Sequence, residues 1–284
     1  MILTGAGKIA GVVGWPIRHS LSPLLHGYWL EELKIDGALV PLGVPREDFA
    51  RVIASLQRAG FRGVNVTVPH KEAAFALAHS RDAAAEAAGA ANLLIFHAGG
   101  RIEGRNTDAV GLRESLRQDM GGLQRKTVAM LGAGGAARGA LLALDALKVG
   151  RIHLLNRSPD KAAQLTMALK KVVMSDIQPG ALEDWANIAG HADLIVNTTS
   201  AGMKGHAPLD LDLSLLRKGG AVLDIVYNPL ETPLLKAAKA RGLKTIDGLG
   251  MLMHQAAPSF EAFFGATPKV TPGLRAHLEK ALHA

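Results

Sequence analysis

The sequence predicts an α/β protein: an N-terminal α/β domain, a second, doubly wound α/β domain, and C-terminal helices that return to the first. Three observations predict it. Apolar runs alternate with amphipathic segments along the chain, the pattern of strands joined by crossover helices. A Gly-rich turn at residues 132–137 separates one such run from one such segment. The 284 residues, 48% hydrophobic and 20% charged, are enough to bury two cores of ordinary size.

The elements follow in order. KIAGVVG (8–14), GALVPLGV (37–44) and GVNVTVP (63–69) read as strands. Residues 22–33, 46–60 and 71–89 read as helices, the last an unbroken Ala-rich stretch. The middle of the chain repeats the alternation more cleanly. Strands are expected at 127–135 (running into the turn), 151–158, 192–200 and 221–228, with a last one at TID (245–247). Helices are expected at 137–147, 160–172 and 232–242, and the tail from 251 reads as helical. A polar GRNTD turn marks a boundary at Asp108, and a second falls after Asp247. The domains are therefore 1–108, 109–247 and 248–284.

The chain has no cysteine, which excludes disulfides, thiolate metal sites and a Cys nucleophile; no metal site is expected. The lack of cysteine fits a reducing, cytoplasmic setting. The apolar N-terminal stretch is interrupted by Lys8, several Gly and Pro16, so neither a signal peptide nor a membrane span is expected. Net charge is +7. Residues 109–246 carry 18 basic against 12 acidic side chains, so nearly all of the excess lies there. Those charges are scattered and aromatics are only 4% of the chain, so a nucleic-acid partner is not expected. A homodimer is allowed for, with no residue singled out for it.

Gly132-Ala133-Gly134-Gly135-Ala136 follows an apolar run and opens a helix. Small residues there permit a tight turn, and the helix N-terminus offers free N–H groups to a pyrophosphate. Ala137 stands where the fingerprint has its third Gly. The alternative is an ordinary Gly-rich turn. The next strand ends Asn156-Arg157-Ser158, with Lys161 one turn on and no acid at the tip. A planar guanidinium suits a ribose 2′-phosphate, so the segment reads as a Rossmann-like domain for NADP(H) rather than NAD. Asp160 would partly neutralise that patch, and a plain solvated surface is the alternative.

In the first domain, Ser20 and Ser22 lie two residues apart before Pro23 and are suited to a carboxylate; the alternative for Ser22 is a helix cap. In GVNVTVPHK the valines take one face of the strand, and Asn65 and Thr67 the other. Lys71 begins a helix, where the dipole favours the neutral amine, making it an acid/base candidate. Asp108 either pairs with Lys71 or caps the following helix.

Together these segments resemble the shikimate dehydrogenase family. GWPIRHSLSPLLH, GVNVTVPHKE, GAANLL, GRNTDAVG, GAGGAA, NRSPDK, NTTSAGM, DIVYNPLETPLL and DGLGMLMHQAAPSF occur in the family's order along nearly the whole chain. Departures are Trp15 where Asn is common, Leu93 for Thr and Ala109 for Gly. The resemblance implies NADPH-dependent reduction of 3-dehydroshikimate to shikimate. It places Ser20 and Ser22 on the substrate carboxylate, and Thr67, Lys71, Asn92, Asp108 and Gln255 around its ring. Lys71 and Asp108 become the acid/base pair, and Tyr227 contacts the substrate. It also places Gly132 to Ala136 on the pyrophosphate, Asn156, Arg157, Ser158 and Lys161 at the 2′-phosphate, and Ile225, Gly248 and Met251 at the nicotinamide.

Overall fold

The computed structural model describes residues 3–282. It forms two compact units, one of residues up to Asp108 with those from Met253 on, the other Ala109–Leu252.

The first unit is built on a six-stranded sheet. Its strands are β1 (Lys8–Gly14), β2 (Gly37–Gly43), β3 (Gly63–Val66), β4 (Ser80–Arg81), β5 (Leu93–Phe96) and β6 (Ile102–Arg105), in the order β2-β1-β3-β5-β6-β4. β1 pairs in parallel with both neighbours, and Ala10, Val12 and Val13 are almost wholly buried. β2 carries Pro41 and lies at the edge, where the missing N–H costs no ladder bond. Helices Ser22–Glu32 and Phe49–Arg58 are the crossovers that parallel pairing demands.

β4, β5 and β6 are not among the strands expected from the sequence, and they make the sheet mixed: β5 runs antiparallel to both β3 and β6. The helix expected over 71–89 is two, Lys71–Leu77 and Ala83–Ala88. Between them Ser80 and Arg81 pair with β6, and the Asp82 side chain caps the second helix by accepting the Ala85 N–H at 2.7 Å. Strand pairing and a cap together outweigh alanine propensity.

Helices Gly248–Phe264 and Pro272–Leu282 complete the tail. Phe260 and Phe264 are fully buried, Lys8 Nζ donates to Phe264 O at 2.8 Å, and Trp29 Nε1 donates to Lys269 O at 2.9 Å. Residues 248–252, counted with the tail in the sequence, group with the second unit.

The second unit has a fully parallel six-stranded sheet. Its strands are β7 (Thr127–Leu131), β8 (Arg151–Asn156), β9 (Asp176–Ala181), β10 (Leu194–Asn197), β11 (Ala221–Asp224) and β12 (Lys244–Ile246), in the order β12-β11-β10-β7-β8-β9. The order reverses at β7, whose carboxyl end is therefore the switch point where doubly wound sheets bind ligands. The central strands β7, β10 and β11 are buried along nearly their whole length, as helices on both faces require. β9 was not expected. It is an exposed edge strand with one aliphatic side chain on its outer stretch, Ile177, and a proline at 179.

Candidate active site

Lys71 is the first residue of its helix, delivered there by β3 and the Thr67–His70 turn, whose His70 N–H bonds Thr67 O at 3.0 Å. Its ammonium pairs with Asp108 Oδ2. The Lys71 side chain is 16% exposed and that of Asp108 5%. A buried pair of this kind needs further bonds to offset desolvation. They are present on Asp108: Asn92 Nδ2 donates to Oδ1 at 2.7 Å. The same amide lies 3.0 Å from Thr107 Oγ1 and 3.2 Å from Gln255 Oε1. Asn92 Oδ1 accepts the Thr107 N–H at 2.8 Å, and the Thr107 hydroxyl donates to Gln255 O at 2.8 Å.

Asp108 therefore does not spend its carboxylate on capping. Asn106 shapes the turn into the helix, its Oδ1 accepting the Asp108 N–H at 3.1 Å while its amide donates to Ala90 O at 2.9 Å. Lys71, Asn92, Asp108 and Gln255, all expected from the sequence, thus form one cluster, and Asn106 and Thr107 brace it.

Two neighbours sharpen the picture. His70, adjacent to Lys71, is not available for proton transfer. Its ring stacks on Phe49 at 4.7 Å, its Nε2 lies 2.7 Å from Val44 O, and burial holds its pKa below the ordinary histidine value. Asn65 is buried on β3 with both side-chain amide atoms unpartnered by protein. A buried amide without a partner is costly and calls for an explanation. The polar face of this strand was visible in the sequence, although Asn65 was not singled out.

Ser22 is buried and Ser20 half-buried. Ser22 does not cap the helix it begins, which has no side-chain cap bond. The Ser20 hydroxyl accepts the Ser22 N–H at 3.3 Å, so both side chains belong to one tight bend. Thr67 is half-buried with its backbone fixed to Val13 O at 2.9 Å. No hydrogen bond among the described residues joins Ser20, Ser22 or the Thr67 side chain to the Lys71 cluster.

In the second unit, Gly132 has φ +104°, and a Cβ there would stand 2.7 Å from Thr199 Cγ2 and 2.9 Å from Thr198 Oγ1. Only glycine fits. Around Gly134 and Gly135 a Cβ would meet nothing within 4 Å, so the backbone is open to approach. Helix Gly135–Ala146 begins here with no side-chain cap, leaving its first N–H groups for an anion. Ala133 and Ala136 are half-buried, and Ala137 packs fully buried against the sheet.

At the end of β8, Asn156 Nδ2 donates to Ser158 O at 3.0 Å and shapes the tip. Arg157, Ser158 and Lys161 are exposed. Some other basic residues of this unit are in ion pairs, Arg217 and Lys126 with Asp193, Arg151 with Asp176 and Lys239 with Glu231. Among the described residues no ion pair engages Arg157, Asp160 or Lys161. The open turn, uncapped helix and unpaired cations fit a phosphorylated dinucleotide.

Ile225 packs against the apolar cluster that holds buried Met251, a Cβ on Gly248 would collide with Ile225 O, and the Gly248 N–H donates to Val226 O at 3.3 Å. Tyr227 is half-buried in the same loop. Among the described residues no group of His, Asp or Glu is placed to hold a metal, and no helix is long and apolar enough to cross a membrane.

Residues 12–94 match the model of the shikimate dehydrogenase substrate-binding domain, and 114–204 that of shikimate/quinate 5-dehydrogenase. A shikimate dehydrogenase (NADP⁺) of Acidiphilium cryptum is 50% identical over 276 residues, 96% of each chain. The chain belongs to the shikimate dehydrogenase family. Solved members of this family share the architecture. The shikimate 5-dehydrogenase of Thermus thermophilus, in complex with NADP(H) and shikimate, is 34% identical with a TM-score of 0.83, covering 97% of this chain and 98% of its own. The quinate dehydrogenase of Corynebacterium glutamicum, in complex with NAD, is 27% identical with a TM-score of 0.88, covering 98% and 99%.

Proposed function

We propose that this chain catalyses the reversible NADPH-dependent reduction of 3-dehydroshikimate to shikimate, a step of chorismate and aromatic amino-acid biosynthesis, in the cytoplasm. A homodimer is the assembly proposed, to be read by sedimentation. The observation that carries the reading is the buried Lys71–Asp108 pair, braced by Asn92 and Gln255.

NADPH, when bound, supplies the hydride. In the reductive direction Lys71 Nζ gives a proton to the substrate carbonyl oxygen and is recharged from solvent, which its partial exposure permits. Asp108 orients a neighbouring substrate hydroxyl and holds the ammonium in place. Asn92 fixes Asp108 and Gln255 holds Asn92, so the pair is set before substrate arrives. Ser20 and Ser22 take the carboxylate, and Asn65 and Thr67 take ring hydroxyls. The turn from Gly132 to Ala136 receives the pyrophosphate. Arg157 and Lys161, beside Asn156 and Ser158, receive the 2′-phosphate as a planar fork and a point charge. Ile225, Gly248 and Met251 form the nicotinamide end, with Tyr227 toward the substrate.

The test is an assay of shikimate and quinate, each with NADP⁺ and NAD⁺, followed by absorbance of the reduced cofactor. Fastest turnover is expected with shikimate and NADP⁺. Preference for quinate and NAD⁺ would overturn both assignments.

A further inference from the structure

Asp224, at the end of β11, is a buried carboxylate that no step of the proposed reaction uses. It is 0% exposed. Its two oxygens are divided between the two ends of the following loop. Oδ1 accepts the Val226 N–H at 3.1 Å, at the start of the loop. Oδ2 accepts the Thr232 hydroxyl at 2.7 Å, at its end. That hydroxyl also accepts the Leu235 N–H at 3.3 Å and so caps helix Pro233–Ala240. Asn197 Nδ2, from the adjacent β10, donates to Oδ1 at 2.9 Å, and the Ile225 N–H donates to Asn197 O at 3.1 Å.

A buried carboxylate at the end of a strand is costly, and burial pushes this one up to about 6 against the pull of its three hydrogen bonds. Fold alone does not call for it, since an apolar residue would fill the end of β11 more cheaply. What it does is clasp residues 225–231 by both ends, and Tyr227 lies within that span.

We propose that Asp224 is a positioning residue that closes the loop and thereby aims Tyr227 at the substrate. The proposal rests on the reading of Tyr227 as a substrate contact. Thr232 and Asn197 hold the clasp, and the chemistry stays with Lys71 and Asp108.

A double-mutant cycle tests it. Asp224→Ala is expected to raise KM for shikimate about tenfold, with KM for NADP⁺ changed less than about twofold. Asp224→Asn, which keeps one acceptor, falls between. In a Tyr227→Phe background the same changes should add less than about twofold, because the group being aimed is gone. Thr232→Ser should behave as wild type and Thr232→Val as a weaker Asp224→Ala, which keeps the test open if Asp224→Ala fails to fold. Full, independent effects in the two backgrounds, or equal losses for shikimate and NADP⁺, would overturn the role of Asp224. An unaltered Tyr227→Phe enzyme would instead overturn the reading of Tyr227, and the route through it.

Discussion

The two charged centres of this molecule are built in opposite ways. Lys71 and Asp108 are buried and joined, and Asn92, itself bonded to Gln255 and Thr107, holds Asp108. Arg157 and Lys161 are exposed, with no ion pair even to Asp160 between them. The roles proposed for them account for the difference. A proton donor must be fixed before the transition state, so its orientation is settled in the fold. A phosphate reader gains by meeting its anion unpaired, since no internal salt bridge has to be broken first.

This contrast can be broken by mutation. Asp108→Asn keeps an acceptor for Asn92 but removes the charge facing Lys71; kcat/KM for shikimate should fall about 10²-fold, and steady-state kinetics would show it. A loss under about threefold would mean that the buried pair is merely structural. Arg157→Ala should raise KM for NADP⁺ about tenfold and leave kcat and the NAD⁺ reaction nearly unchanged. Equal losses with both cofactors would place Arg157 elsewhere. Asp160→Asn should lower KM for NADP⁺ by about twofold at low salt, an effect that fades as salt is raised. No change at any ionic strength would show that Asp160 does not sense the anion.

A third buried group tests whether burial alone implies function. His26 is wholly buried among Trp29, Phe260, Phe263 and Phe264, both ring nitrogens lack a partner, and burial lowers its pKa to about 3. The unfolded chain then binds a proton that the native one refuses, from about 6.5 down to 3. Stability from this group is complete above that window and is lost as pH falls through it, roughly 2 kcal/mol between about pH 7 and pH 5. Asp224 acts in the opposite sense, because its raised pKa makes the native state bind the extra proton below about 6. The difference between His26→Leu and wild type isolates the histidine. Thermal melts should show the variant at least as stable at neutral pH and less sensitive to acid, with kcat unchanged. An unchanged acid slope would count against the buried neutral ring.

Much of this was readable from local pattern. The parallel strands of the second unit are apolar runs between helices, and the Gly-rich turn and Arg157 tip are contiguous in sequence. β9 escaped notice because an edge strand with Pro179 carries little apolar signal. The break at Ser80–Arg81 is set by pairing with β6, a long-range contact that an Ala-rich stretch does not announce. In the site, Lys71 and Asp108 stood out as polar residues at strand-to-helix junctions. Whether Asp108 capped its helix or met Lys71 was open, and its two carboxylate oxygens decide it, one meeting Lys71 and the other accepting from Asn92. The clasp at Asp224 and the cage around His26 join residues far apart in sequence, so spacing could not reveal them.

The most direct measurement is kcat and KM of Lys71→Ala with shikimate and NADP⁺, on protein shown to be folded. Proton delivery by Lys71 predicts a fall in kcat of about 10²-fold or more with KM little changed. An unimpaired kcat would contradict it.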